Sequence, residues 1–241
     1  MPDENAIDHD TFAAQVYETL RREILSGALA PSTRLVRRKL GKRLGVSAIP
    51  VGEALLRLEH DGLIESQPRS GARVRSLSLQ AVASDQALRQ ALECEAARLC
   101  AENATEAQLR ELYTMADTLD ALLASGDERS EKGMKTHLDY HLAVARFSGY
   151  EVFVEELRRV WLRRFVQLNW INAIIHPVPS HWHRQLTDAI ATRDPAFAEA
   201  KMRHHVRYSI DQYLDAIRKI ENASPTSKRK RSSPACKPDR Q

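Results

Sequence analysis

The residues that interrupt regular structure are scarce in this chain. It has 9 glycines and 10 prolines among 241 residues, which excludes a collagen-type repeat and a low-complexity Pro/Gly protein. Its three cysteines, Cys94, Cys100 and Cys236, form no C-x-x-C pair and leave an odd thiol. That excludes a minimal disulfide scaffold and suits a reducing compartment. No run approaches the ~18 apolar residues that a membrane helix needs. The first ten residues are acidic rather than basic and then apolar, unlike a secretion signal. The expectation is a cytoplasmic protein with no membrane attachment. Aromatic residues are also few, at 6%, while Ala, Leu, Arg and Glu dominate, the composition of a helical protein. The length is enough for a sizeable core in one large domain or two smaller ones.

Charge is distributed unevenly behind a net value of +4. Residues 1–78 carry 12 Lys and Arg against 10 Asp and Glu, residues 79–223 carry 18 against 21, and residues 224–241 carry 6 against 1. Within the first block, Arg21 to Arg57 contains nine bases (Arg21, Arg22, Arg34, Arg37, Arg38, Lys39, Lys42, Arg43, Arg57) and two acids, Glu23 and Glu53. A generic cluster of this kind is a solvated helix face. At this density it also suits a polyanion partner such as DNA. The last block, with Lys228-Arg229-Lys230-Arg231 among Ser and Pro, has no apolar periodicity and reads as a disordered basic tail over 223–241.

From Phe12 to Leu25, Ala13, Val16, Tyr17, Leu20 and Ile24 recur with helical spacing after a candidate N-cap at Asp10. A short basic helix is expected from Leu35 to Leu44, stopped by Gly45. A second runs from about Ser47 to His60, with Pro50 tolerated in its first turn. Joined through Gly45-Val46-Ser47, the two form a helix-turn-helix candidate whose second helix presents its N-terminus to DNA. Two extended runs follow, Gly62 to Ser66 and Ala72 to Arg75, around the turn Gln67-Pro68-Arg69-Ser70-Gly71. They read as an arginine-tipped β-hairpin wing, so residues 1–78 form a winged helix-turn-helix.

These residues resemble the GntR-type bacterial transcription regulators. The resemblance runs through Tyr17-Glu18-Thr19-Leu20, Ile24-Leu25-Ser26-Gly27, Leu40 to Leu44, Gly45-Val46-Ser47, Pro50-Val51, Glu53-Ala54-Leu55, Arg57-Leu58, Asp61-Gly62-Leu63-Ile64 and the wing's Gly71. The family's recognition helix usually begins Val-Ser-Arg-Thr-Pro-Val-Arg, and its two arginines read bases. Here those positions hold Ala48 and Gly52, and Ile49 stands in place of the threonine. An arginine bidentate to guanine supplies ~1 to 3 kcal/mol of discrimination, so direct readout is altered or weakened. The resemblance implies an operator-contacting surface of Arg37, Arg38, Arg43, Ser47, Ala48, Ile49, Gly52, Arg57, Arg69 and Gly71, with Arg38, Arg43, Arg57 and Arg69 left for phosphates or the minor groove.

Beyond Leu79 the pattern is helical throughout. Helices are expected near Ser84 to Asn103, Glu106 to Ser125, Met134 to Ser148, Glu151 to Ile171, Ser180 to Arg193 and Pro195 to Ile220. Breaks fall at Gly126-Asp127, Gly149 and Pro177-Val178-Pro179, and Asp194-Pro195 is an N-cap followed by proline at the first helical position. Residues 79–222 thus read as an all-helical ligand-binding and dimerisation domain. Seven of the nine histidines lie between His137 and His205. His137 and His141 are four apart on one helix face. His183 and His205 lie 11 residues either side of the turn at Asp194, so an antiparallel hairpin sets them at one height. Singly, such histidines are packing or surface residues. Their matched spacing converges four imidazoles into a nitrogen-rich site for a divalent transition metal. His181 and His204 read as exposed neighbours.

This half resembles the FCD ligand-binding domain that commonly follows the GntR-type reader. The matching residues are Leu88-Arg89 with Leu92-Glu93, Tyr140-His141 with Ser148-Gly149, His183 with Ala189-Ile190, Arg193-Asp194, and Met202 with His205. Metal-binding members hold the ion with one Asp and three His. The histidines match His141, His183 and His205, while the Asp position is His137 here. Asp139 is no substitute, since two residues turn a helix by about 200°. Exchanging carboxylate for imidazole favours Zn first, then Ni, Co or Cu, over Mn or Mg; the other reading is a site that no longer binds metal. The resemblance also implies a small organic-acid effector near the metal, with Arg89 at the position of an effector-contacting arginine. The competing role for Arg89 is a salt bridge to Glu93.

The sequence therefore reads as a homodimeric, ligand-responsive regulator, by family habit a repressor, that binds a double-stranded DNA operator. Two alternatives stand beside it. One is a metal-dependent enzyme using water activated on a helical bundle, although no nucleophile or general-base motif accompanies the histidines. The other is a regulator with degenerate DNA reading that acts through protein partners.

Overall fold

The structure is a computed structural model that describes residues 4–67, 71–76, 78–127, 130–171 and 179–223. Arg69, the Pro177-Val178 part of the interhelical break and the basic tail lie outside the described residues. The elements in chain order are α1 (Glu4–Leu25), β1 (Arg34–Leu35), α2 (Arg37–Leu44), α3 (Ala48–His60), β2 (Ile64–Gln67), β3 (Gly71–Val74), α4 (Leu79–Asn103), α5 (Glu106–Ala124), α6 (Glu131–Phe147), α7 (Glu151–Ile171), α8 (Trp182–Ala191) and α9 (Pro195–Ala223).

The N-terminal elements pack the helical stripe of α1 against α3. Leu20, Ile24, Val51 and Leu58 are fully buried there, joined by Leu35, Leu63 and Val74. Each such side chain contributes about 1.5–3 kcal/mol relative to exposure. Two sequence expectations are corrected here. Asp10 is not a cap, because α1 begins at Glu4. No glycine or proline interrupts residues 4–12. Leu35 does not open the basic helix either. It belongs to β1, which pairs antiparallel with β3 (Arg34↔Arg73, Leu35↔Ala72), so the wing is the three-stranded sheet β1-β3-β2. Val36 then caps α2 in extended geometry.

The turn between α2 and α3 depends on two glycines. Gly45 ends α2 at φ 70°, the left-handed region that a side chain disfavours. A Cβ at Gly41 would lie 2.8 Å from the carbonyl oxygen of Val46, so only glycine lets the turn fold back onto α2. Ser47 then enters α3 in extended geometry.

The remaining helices form a bundle around α4, which runs along α9 and touches α6, α7 and α8. Local signals set the helix ends. Ser78 accepts a hydrogen bond from the Ala81 amide, Thr105 and Gln108 form a reciprocal capping box, and Asp194 accepts from Ala196 and Phe197. Such caps are each worth roughly 0.5–2 kcal/mol. One core joins α4, α5, α6, α8 and α9 through Leu112, Tyr140, Leu186 and Met202, and a second joins α4, α6 and α7 through Leu142, Leu157 and Trp161. Helix α7 has two working faces. Trp161 and Phe165, one turn apart, enter the bundle, while Leu162 and Val166 complete the core of the winged helix. Among the described residues, no helix is long and apolar enough to cross a membrane.

Candidate functional site

Two surfaces carry chemistry, and the first lies on α2 and α3. Arg37, Arg38 and Lys39 occupy the first turn of α2 with no acidic residue among them. All three are exposed. Cations at the positive end of a helix dipole destabilise it by a few tenths of a kcal/mol or more, an arrangement that an external anion relieves. Arg37 and Arg38 make no hydrogen bond or ion pair with any described residue. Ser47, Ala48 and Ile49 are exposed at the start of α3, Ile49 by 64%. Gly71 opens β3 beside the tip of the wing. Other basic residues have partners within the fold: Arg43 pairs with Glu23 at 2.7 Å, and the Arg57 guanidinium stacks 4.0 Å over the Tyr17 ring. Tyr17 donates a short hydrogen bond to Asp61, which with burial raises the phenol's pKa.

The second surface is buried. His137 and His141 on α6, His183 on α8 and His205 on α9 place ligand nitrogens within 4.8 Å of one another. The His137 and His183 Nε2 atoms are 3.3 Å apart, and the His183 and His205 rings lie 4.8 Å centroid to centroid. Among the described residues, His141 Nε2 and His205 Nδ1 are buried without a hydrogen-bond partner. Leaving such atoms unsatisfied costs about 1–3 kcal/mol each, so the cluster is short of an acceptor of its lone pairs. Asp139 points away and pairs with Lys135 at 2.6 Å. His181 and His204 are exposed; His204 packs on Trp182.

Two carboxylates adjoin the rings, and Asp120 orients one of them. Asp120 on α5 accepts a hydrogen bond from His183 Nδ1–H at 2.9 Å and from the His183 and Arg184 backbone amides at 3.0 Å each. It thereby caps α8, whose own N-cap residue, His181, offers no side-chain cap, and it leaves the His183 Nε2 lone pair facing the cluster. Glu93 on α4 accepts from Arg89 Nε and from the Trp161 indole at 2.8 Å each. His141 Nδ1 approaches it to 3.1 Å, an ion-pair distance without hydrogen-bond alignment. Burial opposes ionisation of Glu93, but Arg89 and then His141 hold its pKa well below the usual carboxylate range. Burial lowers all four histidines, and His141 falls to about 4. They are therefore neutral near pH 7, the form in which imidazole binds a metal.

Arg89 makes the salt bridge to Glu93 that its sequence position suggested. Its Nε and Nη2 engage Glu93, while the buried Nη1 has no acceptor among the described residues. The guanidinium stands 4.6 Å from the Trp161 ring, and that of Arg164 stands 5.0 Å from it. Sequence reasoning missed Asp120, Trp161 and Arg164. Asp120 sits on a helix without histidine, and no spacing rule ties it to His183, 63 residues away. Arg164 and Trp161 carried only the i, i+3 relation common to any helix.

A three-stranded wing behind a helix-turn-helix, joined to a helical bundle with a buried polar centre, defines the class as DNA-binding regulators. Comparison with known proteins specifies it. Residues 12–74 match the bacterial regulatory proteins of the gntR family, and residues 86–208 match the FCD domain. The chain belongs to the GntR family of transcriptional regulators, in its FCD-containing form. The HTH-type transcriptional regulator McbR of Escherichia coli (strain K12) is 28% identical over 183 residues, covering 76% of this chain and 82% of McbR. A probable D-xylose utilization operon transcriptional repressor from Paenarthrobacter nicotinovorans is 29% identical over 201 residues, covering 81% and 86%. The solved structure of E. coli McbR/YncC matches with a TM-score of 0.66 at 25% identity, over 88% of this chain and 99% of that one.

Proposed function

We propose that this regulator is a cytoplasmic homodimeric repressor that senses a small organic acid at a metal held by His137, His141, His183 and His205. The observation that carries the reading is the convergence of four imidazole nitrogens from three helices within 4.8 Å, on three buried histidines and the half-buried His137. An all-nitrogen, neutral donor set suits zinc first, then nickel, cobalt or copper. The unpaired Nη1 of Arg89 suits one oxygen of a carboxylate, the metal supplying a Lewis-acidic partner for another. Arg37, Arg38, Ser47, Ala48, Ile49 and Gly52, with Arg43, Arg57 and Gly71 around them, form the operator-facing surface, to which the sequence adds Arg69. Residues 1–78 read DNA, residues 79–222 bind the effector and the partner subunit, and 223–241 is a basic tail. The relatives are regulators, which supports this reading over a hydrolytic one.

The test is elemental analysis of protein purified without chelator, alongside DNA binding. About one divalent transition metal per chain is expected, and His183→Ala with His205→Ala should lose it while leaving the winged helix folded by circular dichroism. Absence of metal, or metal retained in the double variant, defeats the assignment.

A further inference from the structure

We propose that Arg37, reaching across from α2, is the base-reading arginine of this regulator, standing in for the side chain that Gly52 lacks. The inference rests on α3 being the helix that enters the major groove.

Gly52 sits on the same face of α3 as Ala48, one turn earlier, and Leu56, one turn later. Both neighbours are exposed, Leu56 by 61%, yet Gly52 itself is buried. The cover is Arg37. The three heavy atoms nearest to a Cβ built on Gly52 are Arg37 Nη1, Cζ and Nε, at 3.5, 3.6 and 3.8 Å. The guanidinium therefore lies flat along the reading face of α3, where a side chain from residue 52 would emerge. Arg37 has no ion pair or hydrogen bond among the described residues, and it lines a cleft of about 350 Å³ between α3 and the wing together with Arg34, Leu56 and Gly71. The acid in the same cleft, Glu59, is engaged by Ser66 and not by Arg37.

Gly52 needs its own explanation. Glycine inside a helix costs roughly 0.5–1 kcal/mol relative to alanine, and no positive φ at Gly52 demands it. A Cβ alone would touch the guanidinium at ordinary contact distance, but any longer side chain would push it off the face. Glycine keeps the place open for an arginine delivered from the neighbouring helix. A planar fork with fixed donors suits the O6 and N7 acceptors of guanine, whereas a purely phosphate-binding role would need charge but no such geometry.

The test begins by selecting preferred duplexes from a randomised pool with the full chain. Affinities are then measured for the selected duplex and its single-base-pair variants across a salt series. The wild type should discriminate about tenfold or more at one G·C pair per half-site. Arg37→Ala should reduce that discrimination to within about twofold, leaving other positions intact. Arg37→Lys should lose the same discrimination while keeping the salt slope, because charge remains and the fork does not. Arg37→Ala combined with Gly52→Arg should restore it, returning a guanidinium to the same patch from α3. Uniform weakening of all sequences by Arg37→Ala, with a shallower salt slope, would make Arg37 a phosphate contact and overturn the proposal. Unchanged binding would do so as well. A wild type that binds duplexes without selecting any sequence would overturn both this proposal and sequence reading by α3, and that result is visible before any variant is made.

Discussion

At the scale of single residues, Asp120 supports the candidate metal centre most economically, because one carboxylate both sets the His183 tautomer and caps α8. Removing such a support typically lowers metal affinity by about 10–100-fold. Asp120→Ala should therefore weaken zinc binding by that order in competition with a chromogenic chelator, with a smaller loss in helix stability. Unaltered affinity would mean that packing alone orients His183. Glu93 has a different duty. It neutralises Arg89, a side chain that is 1% exposed, and it ties α4 to α7 through the Trp161 indole. An Arg–Glu pair at this depth is not itself strong evidence of stability. Its effect is to hold the guanidinium by Nε and Nη2, with Nη1 left without an acceptor among the described residues.

At the scale of elements, α2 and the turn after it are held closer than side chains permit. Because a Cβ at Gly41 meets backbone rather than a movable side chain, at 2.8 Å from the Val46 oxygen, Gly41→Ala must displace α2 from the turn. A loss of about 1–3 kcal/mol in urea unfolding of the winged helix is expected, with weaker operator binding, since Arg37 and Arg38 ride on the displaced helix. Equal stability would show that the turn can relax at no cost. Helix α7 is the other element with a double role. Its adjacent faces, about 100° apart, bring Trp161 against His137 and His141 and set Leu162 and Val166 in the core beneath the DNA reader.

At the scale of the whole molecule, that shared helix is fastened by Asp85 on α4. Asp85 accepts from Arg163 Nε and Gln167 Nε2 of α7 at 2.9 Å each, and it stands 3.8 Å from Arg75 just beyond β3. A change at the histidines thus has a continuous packed route to the wing: Trp161, the body of α7, Arg163, Asp85, Arg75. If the metal is coupled to DNA binding, its removal should shift operator affinity by a factor within the usual allosteric range of about 5–150-fold. Asp85→Ala should bring that factor close to one while leaving metal stoichiometry unchanged, as read by anisotropy with and without chelator. A variant that keeps the full metal effect would place the coupling elsewhere.

Much of this was legible in the residues alone. The helix breaks at Gly45, Gly126 and Asp194, the helix-turn-helix, and the pairing of a four-residue histidine step with a hairpin symmetric about Asp194 are local or periodic features. Capping chemistry and the 3.6-residue turn encode such features directly. Three things escaped that logic. The two-residue strand β1 has no period and exists only because β3 offers it a partner. The carboxylates beside the histidines come from other helices far off in sequence, Asp120 at |i−j| of 63 from His183, with Glu93 tied to Trp161 at |i−j| of 68. The loss of a side chain at position 52 looked like a loss of reading power until α2 laid Arg37 across it. Sequence spacing determined which residues share a face. Only the packing angles between helices decided which faces meet, because side-chain contact depends on how whole elements cross and not on the order in which their residues are joined.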